Sequence, residues 1–257
     1  MDRCPGGDPD RPEVPRLLQR LGGDPADAPT RLHPAEARPA GCRARRGSGD
    51  RLEGRRLAGG KRTQAATGGW ICFEDEAGQR QRPPTGRTWG RRGRTPVVTV
   101  SGRRSGRISI AGLIALRPGS RTRLCYRIRV HHGRRGERRS LSETDYMRLV
   151  DGAHQLLRAP IVLVWDRLST HVSKAMQQLV AARPWLTVFF LPTYAPELNP
   201  VEGVWSQCKR SLANLAAGTV DRLESLVRNR LKSLQYRPAT LNGFMTETGL
   251  QLDSPPP

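Results

Sequence analysis

The first 69 residues contain no phenylalanine, tyrosine, tryptophan or isoleucine. Their aliphatic side chains are Val14, Leu17, Leu18, Leu21, Leu32, Leu52 and Leu57, scattered among Gly, Pro, Arg and Asp. Such a segment cannot bury enough apolar surface to offset chain entropy, so residues 1–69 are expected to be largely disordered. The exception is "VPRLLQRLGG" (14–23), a helical pattern with Pro15 suited to a first turn and Gly22 to a stop. Long apolar runs are also missing. None approaches the roughly 18–20 residues that cross a bilayer, so no membrane helix is expected. The start, "MDRCPGGDPDRPEV", lacks a basic segment followed by an apolar one, which argues against a secretory signal and for a cytoplasmic protein. The five cysteines (Cys4, Cys42, Cys72, Cys125, Cys208) form no CxxC pair, and the five histidines form no HxxxH or HExxH. A disulfide framework and a zinc ribbon are disfavoured.

Acids and lysines are scarce as well. Against 23 Asp and Glu stand 44 basic residues, of which only Lys61, Lys174, Lys209 and Lys232 are lysine, leaving 44 − 4 = 40 arginines and a net charge of +21. Guanidinium groups bind phosphate bidentately and stay charged, so a polyanion is the expected partner. A GC-rich coding sequence would also raise the arginine content, but it would not explain where the acids fall.

At Trp70 the character changes. "GWICFEDEAG" (69–78) is a short apolar run ending in acids, and "TPVVTVSG" (95–102), "RISIAGLIAL" (107–116) and "TRLCYRIRV" (122–130) follow as expected antiparallel strands. In the last, Leu124, Tyr126, Ile128 and Val130 alternate with Arg123, Cys125, Arg127 and Arg129, predicting one buried face and one basic, open face. "LSETDYMRLVDGAHQLLRA" (141–159) is an expected helix opened by Ser142 with an acid three residues on. "PIVLVWD" (160–166) and "WLTVFFLP" (185–192) are buried strands, separated by a helix over 169–184 capped by Ser169 or Thr170. Two further helices are expected at 199–218 and 219–234. Strands first, then alternating helices and strands, give an α/β mixed sheet with helices on both faces, in one domain over 70–249, with 250–257 a disordered tail.

Three acids stand at the ends of these elements. Asp75 closes the first strand, Asp166 closes "IVLVWD", and Glu202 lies in the first turn of the helix that begins near Asn199. Carboxylates so placed can converge on a hard cation such as magnesium. Each alone is equally a solvated strand end or a helix cap. Of the two glutamates in "YAPELNPVEGVW" (194–205), Pro200 suits the first helical position, making Asn199 the cap and aiming Glu202 at the strand ends, with Glu197 left in the loop.

"FEDEAGQRQRPPTGRTWGRRGRTPVV" (73–98), "WDRLSTHVSKAM" (165–176) and "WLTVFFLPTYAPELNPVEGVWSQCKR" (185–210), in that order, resemble the catalytic core of bacterial insertion-sequence transposases of the mariner superfamily. The resemblance spans about Trp70 to Leu234. It implies a ribonuclease-H-like five-stranded mixed sheet, and a DDE triad of Asp75, Asp166 and Glu202 binding Mg2+ or Mn2+, with two ions. It further implies DNA as partner, held by a homodimer, and cleavage followed by strand transfer. His171 matches a histidine common in the family and is expected at a phosphate or behind the site, with a helix-capping neighbour that has no catalytic part as the equal alternative. Lys209, Arg210, Arg91, Arg92 and Arg94 are expected nucleic-acid contacts, because 79–139 holds eighteen arginines against one acid, Glu137. Trp205 and Val201 fall on an apolar stripe and are expected in the core. Two features depart from the pattern. Residues 14–23 match only the end of the helix-turn-helix region that recognises transposon ends, and Arg167 replaces a polar amide. An inactive DNA-binding remnant and a ribonuclease-H-like nuclease or resolvase are the alternatives.

Overall fold

The computed structural model describes residues 59–90, 92, 96, 97, 99, 106–138, 140–193 and 195–249. The remainder of the N-terminal segment expected to be disordered, with its helical stretch 14–23, lies outside these residues, as does the tail 250–257. Five strands form one mixed sheet in the order β3-β2-β1-β4-β5. They are β1 (Trp70–Arg80), β2 (Arg107–Leu116), β3 (Arg123–His131), β4 (Ile161–Trp165) and β5 (Leu186–Phe190). β1, β2 and β3 pair antiparallel, while β4 runs parallel to both β1 and β5. Residues 59–67 are helical (α1). Five more helices follow: α2 (Glu143–Leu157), α3 (Lys174–Ala181), α4 (Val201–Ser211), α5 (Val220–Gln235) and α6 (Pro238–Glu247). This is the ribonuclease-H-like α/β arrangement. No helix among the described residues is long and apolar enough to cross a membrane.

Alternation along β1 divides the core in two. Ile71 and Phe73 face α4, α5 and α6 through Val201, Trp205, Val227, Leu231 and Leu241. Trp70 and Cys72 face α2 and α3 through Tyr146, Val150 and Met176. Period-two side chains on a sheet covered on both faces make both sets apolar, as β1 and β4 require. Gly112 on β2 pairs with Asp75 and has the indole of Trp205 against it. A Cβ there would lie 2.7 Å from Trp205 Cη2 and 2.9 Å from Cζ2. The buried ring has nowhere to move, so Gly112→Ala is expected to cost about 1–3 kcal/mol, read as a lower midpoint in urea unfolding.

Five expectations need correction. The chain is already helical at 59–67, ahead of the predicted start at Trp70, and buried Gln64 donates from Nε2 to the Gly69 carbonyl (3.1 Å). In the predicted strand 95–102, the described residues Pro96, Val97 and Thr99 are not in a strand, and Val97 is exposed; the rest lie outside the described residues. The helix predicted from Ser169 begins at Lys174, capped by the Ser173 hydroxyl, which accepts from the Met176 amide. The basic face of β3 is not fully open: Arg127, Arg129 and Arg138 converge on buried Asp145 in the first turn of α2. Helix α6 was not anticipated; its Phe244 seats against Gly203 of α4. The capping box at Ser142 is present, with Asp145 as the acid.

Candidate active site

Parallel pairing of β1 with β4 brings two of the acids to the same edge. Phe73 is level with Val164, and two residues on stand Asp75 and Asp166. Asp75 lies in the middle of β1 rather than at its close, because the ladder with β2 continues to Arg80, and Asp166 is the residue after β4. Odd-numbered positions of β1 face α4, so Asp75 points to that side while Glu74 and Glu76 point toward α2 and α3. The third acid arrives through Asn199. This buried side chain donates from Nδ2 to the Glu74 carbonyl (2.9 Å) and accepts at Oδ1 from the Val201 amide (3.2 Å). It thereby pins the first turn of α4, which carries Glu202, to the backbone immediately before Asp75. The expected cap geometry shifts by one residue: the helix is counted from Val201 with Pro200 at the cap, and the Glu202 amide donates to the Asn199 carbonyl rather than to its side chain. Glu197 lies exposed in a 3-10 turn, Pro196–Leu198.

Asp75, Asp166 and Glu202 line one cleft of about 370 Å³, with Arg167, Pro196 and Asn199 among its other walls. Asp75 accepts from the Trp205 indole N–H at Oδ2 (3.0 Å). Burial, and then repulsion from Glu202, pushes its carboxyl from 3.8 up to about 7, against the Glu76 amide and the Trp205 indole that favour the charge. Glu76 is likewise raised to about 7 by burial and by Asp166, Asp75 and Glu202. Burial raises Glu74 as well. Asp166 moves the other way, held below its ordinary range chiefly by the hydrogen bond from His171. Three oxygen donors that repel one another in one partly buried cleft suit a hard divalent cation.

Among the residues expected at nucleic acid, Lys209 and Arg210 are exposed in the last turn of α4, and Arg92 is exposed. Arg91 and Arg94 lie outside the described residues. His171 corrects the expected phosphate contact, while its expected place behind the site is the one observed. Its side chain is 1% exposed, so it offers no surface to a phosphate. Its Nδ1 lies 2.9 Å from Asp166 Oδ1, its ring stacks on Trp165, and Tyr146 meets it edge-on. Sequence reasoning also missed two features. Trp205, read as core, is core by its ring and a donor to Asp75 by its nitrogen. Glu74 and Glu76 flank Asp75 on the opposite face, and with His171 they bring ligating atoms within 4.8 Å of one another. Strict alternation around Asp75 in "FEDEA" is the signal that could have placed them.

Residues 70–224 match the family model described as DDE superfamily endonuclease. The chain is similar in fold to the crystal structure of the mariner Mos1 paired end complex with Mg, at 12% identity and a TM-score of 0.52, covering 86% of this chain and 68% of that one. It also matches a pre-cleavage Mos1 transpososome at 13% identity and a TM-score of 0.49, covering 85% and 68%. No curated protein matches it.

Proposed function

The chain belongs to the DDE superfamily endonucleases, and from that premise we propose that it is a transposase that cuts and joins DNA with Asp75, Asp166 and Glu202 as its catalytic carboxylates. The observation that carries this is their convergence on one cleft from the middle of β1, the residue after β4 and the start of α4. The three would hold Mg2+ or Mn2+, two ions in all, supplying positive charge at the scissile phosphate when bound. The rest is done by the chain. Trp205 and Asn199 set Asp75 and the α4 terminus at a fixed separation. A water adds to phosphorus and gives its proton to solvent, while the 3′-oxygen leaves and is protonated to a 3′-hydroxyl. That hydroxyl then attacks a phosphate of target DNA in the same way.

Arg167 stands at the cleft wall, exposed, with its guanidinium 5.1 Å over the Phe190 ring. A cation so braced can hold a DNA phosphate beside the carboxylates. Arg167→Ala is expected to weaken DNA binding and to lower the slope of log affinity against log salt by about 1, read by fluorescence anisotropy at several salt concentrations. Lys209 and Arg210 in the last turn of α4, and Arg92, are exposed cations available to further phosphates. Origin in a bacterial insertion sequence, cytoplasmic action and a homodimer joining two DNA ends complete the proposal. It is tested by incubating the full chain with supercoiled plasmid and a duplex bearing a free 3′-hydroxyl. Mg2+-dependent nicking and a covalently joined product are expected. Cleavage without joining would favour a nuclease or resolvase, and cleavage that persists in EDTA would reject the site.

A further inference from the structure

We infer that His171 is a positioning residue for Asp166, and that Glu74 in turn orients His171 from the far face of β1; this rests on the nuclease reading of the cleft. Asp166 follows the last residue of β4 and its side chain is 48% exposed, so packing alone does not fix its rotamer. Two donors do: the Leu168 amide and His171 Nδ1, both 2.9 Å away and both on Oδ1. Loading one oxygen in this way leaves Oδ2 for a ligand in the cleft.

The imidazole is itself held on every side. It lies flat on Trp165 with centroids 4.2 Å apart and planes 5° from parallel, and Tyr146 meets it edge-on at 4.7 Å. Its Nε2 faces Glu74 Oε2 at 3.4 Å, and the Glu74 side chain is 0% exposed. Among the described residues, neither Nε2 nor either Glu74 oxygen has a closer hydrogen-bond partner. A fully buried carboxyl group with no other partner among the described residues would be left unsatisfied if that ring nitrogen turned away, which is costly. β1 therefore serves the cleft twice, by Asp75 on one face and by the Glu74 support on the other. Side chains that orient metal-binding groups in this manner are worth about 10–100-fold in metal affinity.

The test compares His171→Asn, whose amide nitrogen falls near Nδ1, with His171→Gln, whose amide reaches the Nε2 position, and with His171→Phe, which keeps the stacked ring and loses both nitrogens. Mn2+ affinity of the full chain is measured by calorimetry, plasmid nicking in parallel, and folding by circular dichroism. His171→Asn is expected to bind Mn2+ within about threefold of wild type, and His171→Phe about 10–100-fold more weakly with an unchanged spectrum. Should the phenylalanine variant fail to fold, tighter Mn2+ binding by the asparagine than by the glutamine variant carries the same expectation. Equal Mn2+ affinity in wild type and His171→Phe, or in the Asn and Gln variants, overturns the inference while leaving the nuclease reading intact. A wild-type chain that neither binds Mn2+ nor cuts DNA rejects that reading and this inference with it.

Discussion

Replacing Asp166 by alanine is expected to lower metal-dependent nicking of supercoiled plasmid by on the order of 10³-fold or more, with the fold retained. Residues that act as one unit lose nearly everything when any one is removed, which in other active sites amounts to roughly 10⁴–10⁶-fold. Asp166 is well suited to the experiment because it contributes little to packing. It stands outside the β4 ladder with about half of its side chain in solvent, and its partners are His171 and the Leu168 amide. The variant should therefore melt near the wild-type temperature in EDTA. Nicking that survives at a comparable rate would mean that the cleft is not where DNA is cut.

The metal-free chain is expected to lose stability as the pH rises from 5.5 to 8, by on the order of 2–4 kcal/mol. Asp75 and Glu76 each have a folded-state value of about 7, raised from 3.8 and 4.5 by burial first and then by repulsion from neighbouring acids, Glu202 foremost for Asp75 and Asp166 for Glu76. Between those limits the folded chain binds more protons than the unfolded one. Stability is thus full below the unfolded values and declines until the pH passes about 7. One carboxyl displaced by some three units corresponds to about 4 kcal/mol, at 1.36 kcal/mol per unit. Because the acids repel one another, their contributions do not simply add. Asp166, shifted downward, acts in the opposite sense, but only near and below its ordinary range, outside this window. Mn2+ at a hundred times its Kd should restore about 2.7 kcal/mol at pH 8. Urea unfolding in EDTA at the two pH values checks the sign, and a curve that is flat or rises with pH contradicts it.

The three acids were legible because each adjoins a stretch whose pattern is strong, although β1 runs on to Arg80 where the sequence suggested a close at Asp75. "WICF" and "IVLVW" are strands by composition alone, and Asn-Pro announces the helix that carries Glu202. Which acids share a cleft follows once β1 and β4 are parallel neighbours, as the order of helices and strands suggests. What lies behind the cleft was legible only in part. The sequence left His171 open between a phosphate contact, a place behind the site and a helix-capping neighbour, and the chain decides it by folding back after Asp166. The His171 amide donates to the Leu168 carbonyl (2.8 Å), which buries the ring against Trp165 and delays α3 to Lys174. Such a return is a tertiary choice that local spacing does not encode. The same holds for Asp145. The sequence shows a capping acid, but three arginines that come from β3 and the following loop reach it only in the folded chain. The valine-rich stretch at 95–102 has strand propensity, but packing decides whether a neighbour is there to pair with it.

The most direct measurement is a Mn2+ titration of the full chain by electron paramagnetic resonance, repeated with Asp75→Asn, Asp166→Ala, Glu202→Gln and Glu197→Gln. One shared centre predicts that each of the first three substitutions weakens the bound signal, while Glu197→Gln, which changes an exposed side chain in the preceding turn, leaves it as in wild type. Binding that survives all three, or that is lost with Glu197→Gln instead, would contradict the assignment of Asp75, Asp166 and Glu202 to a single metal-dependent site.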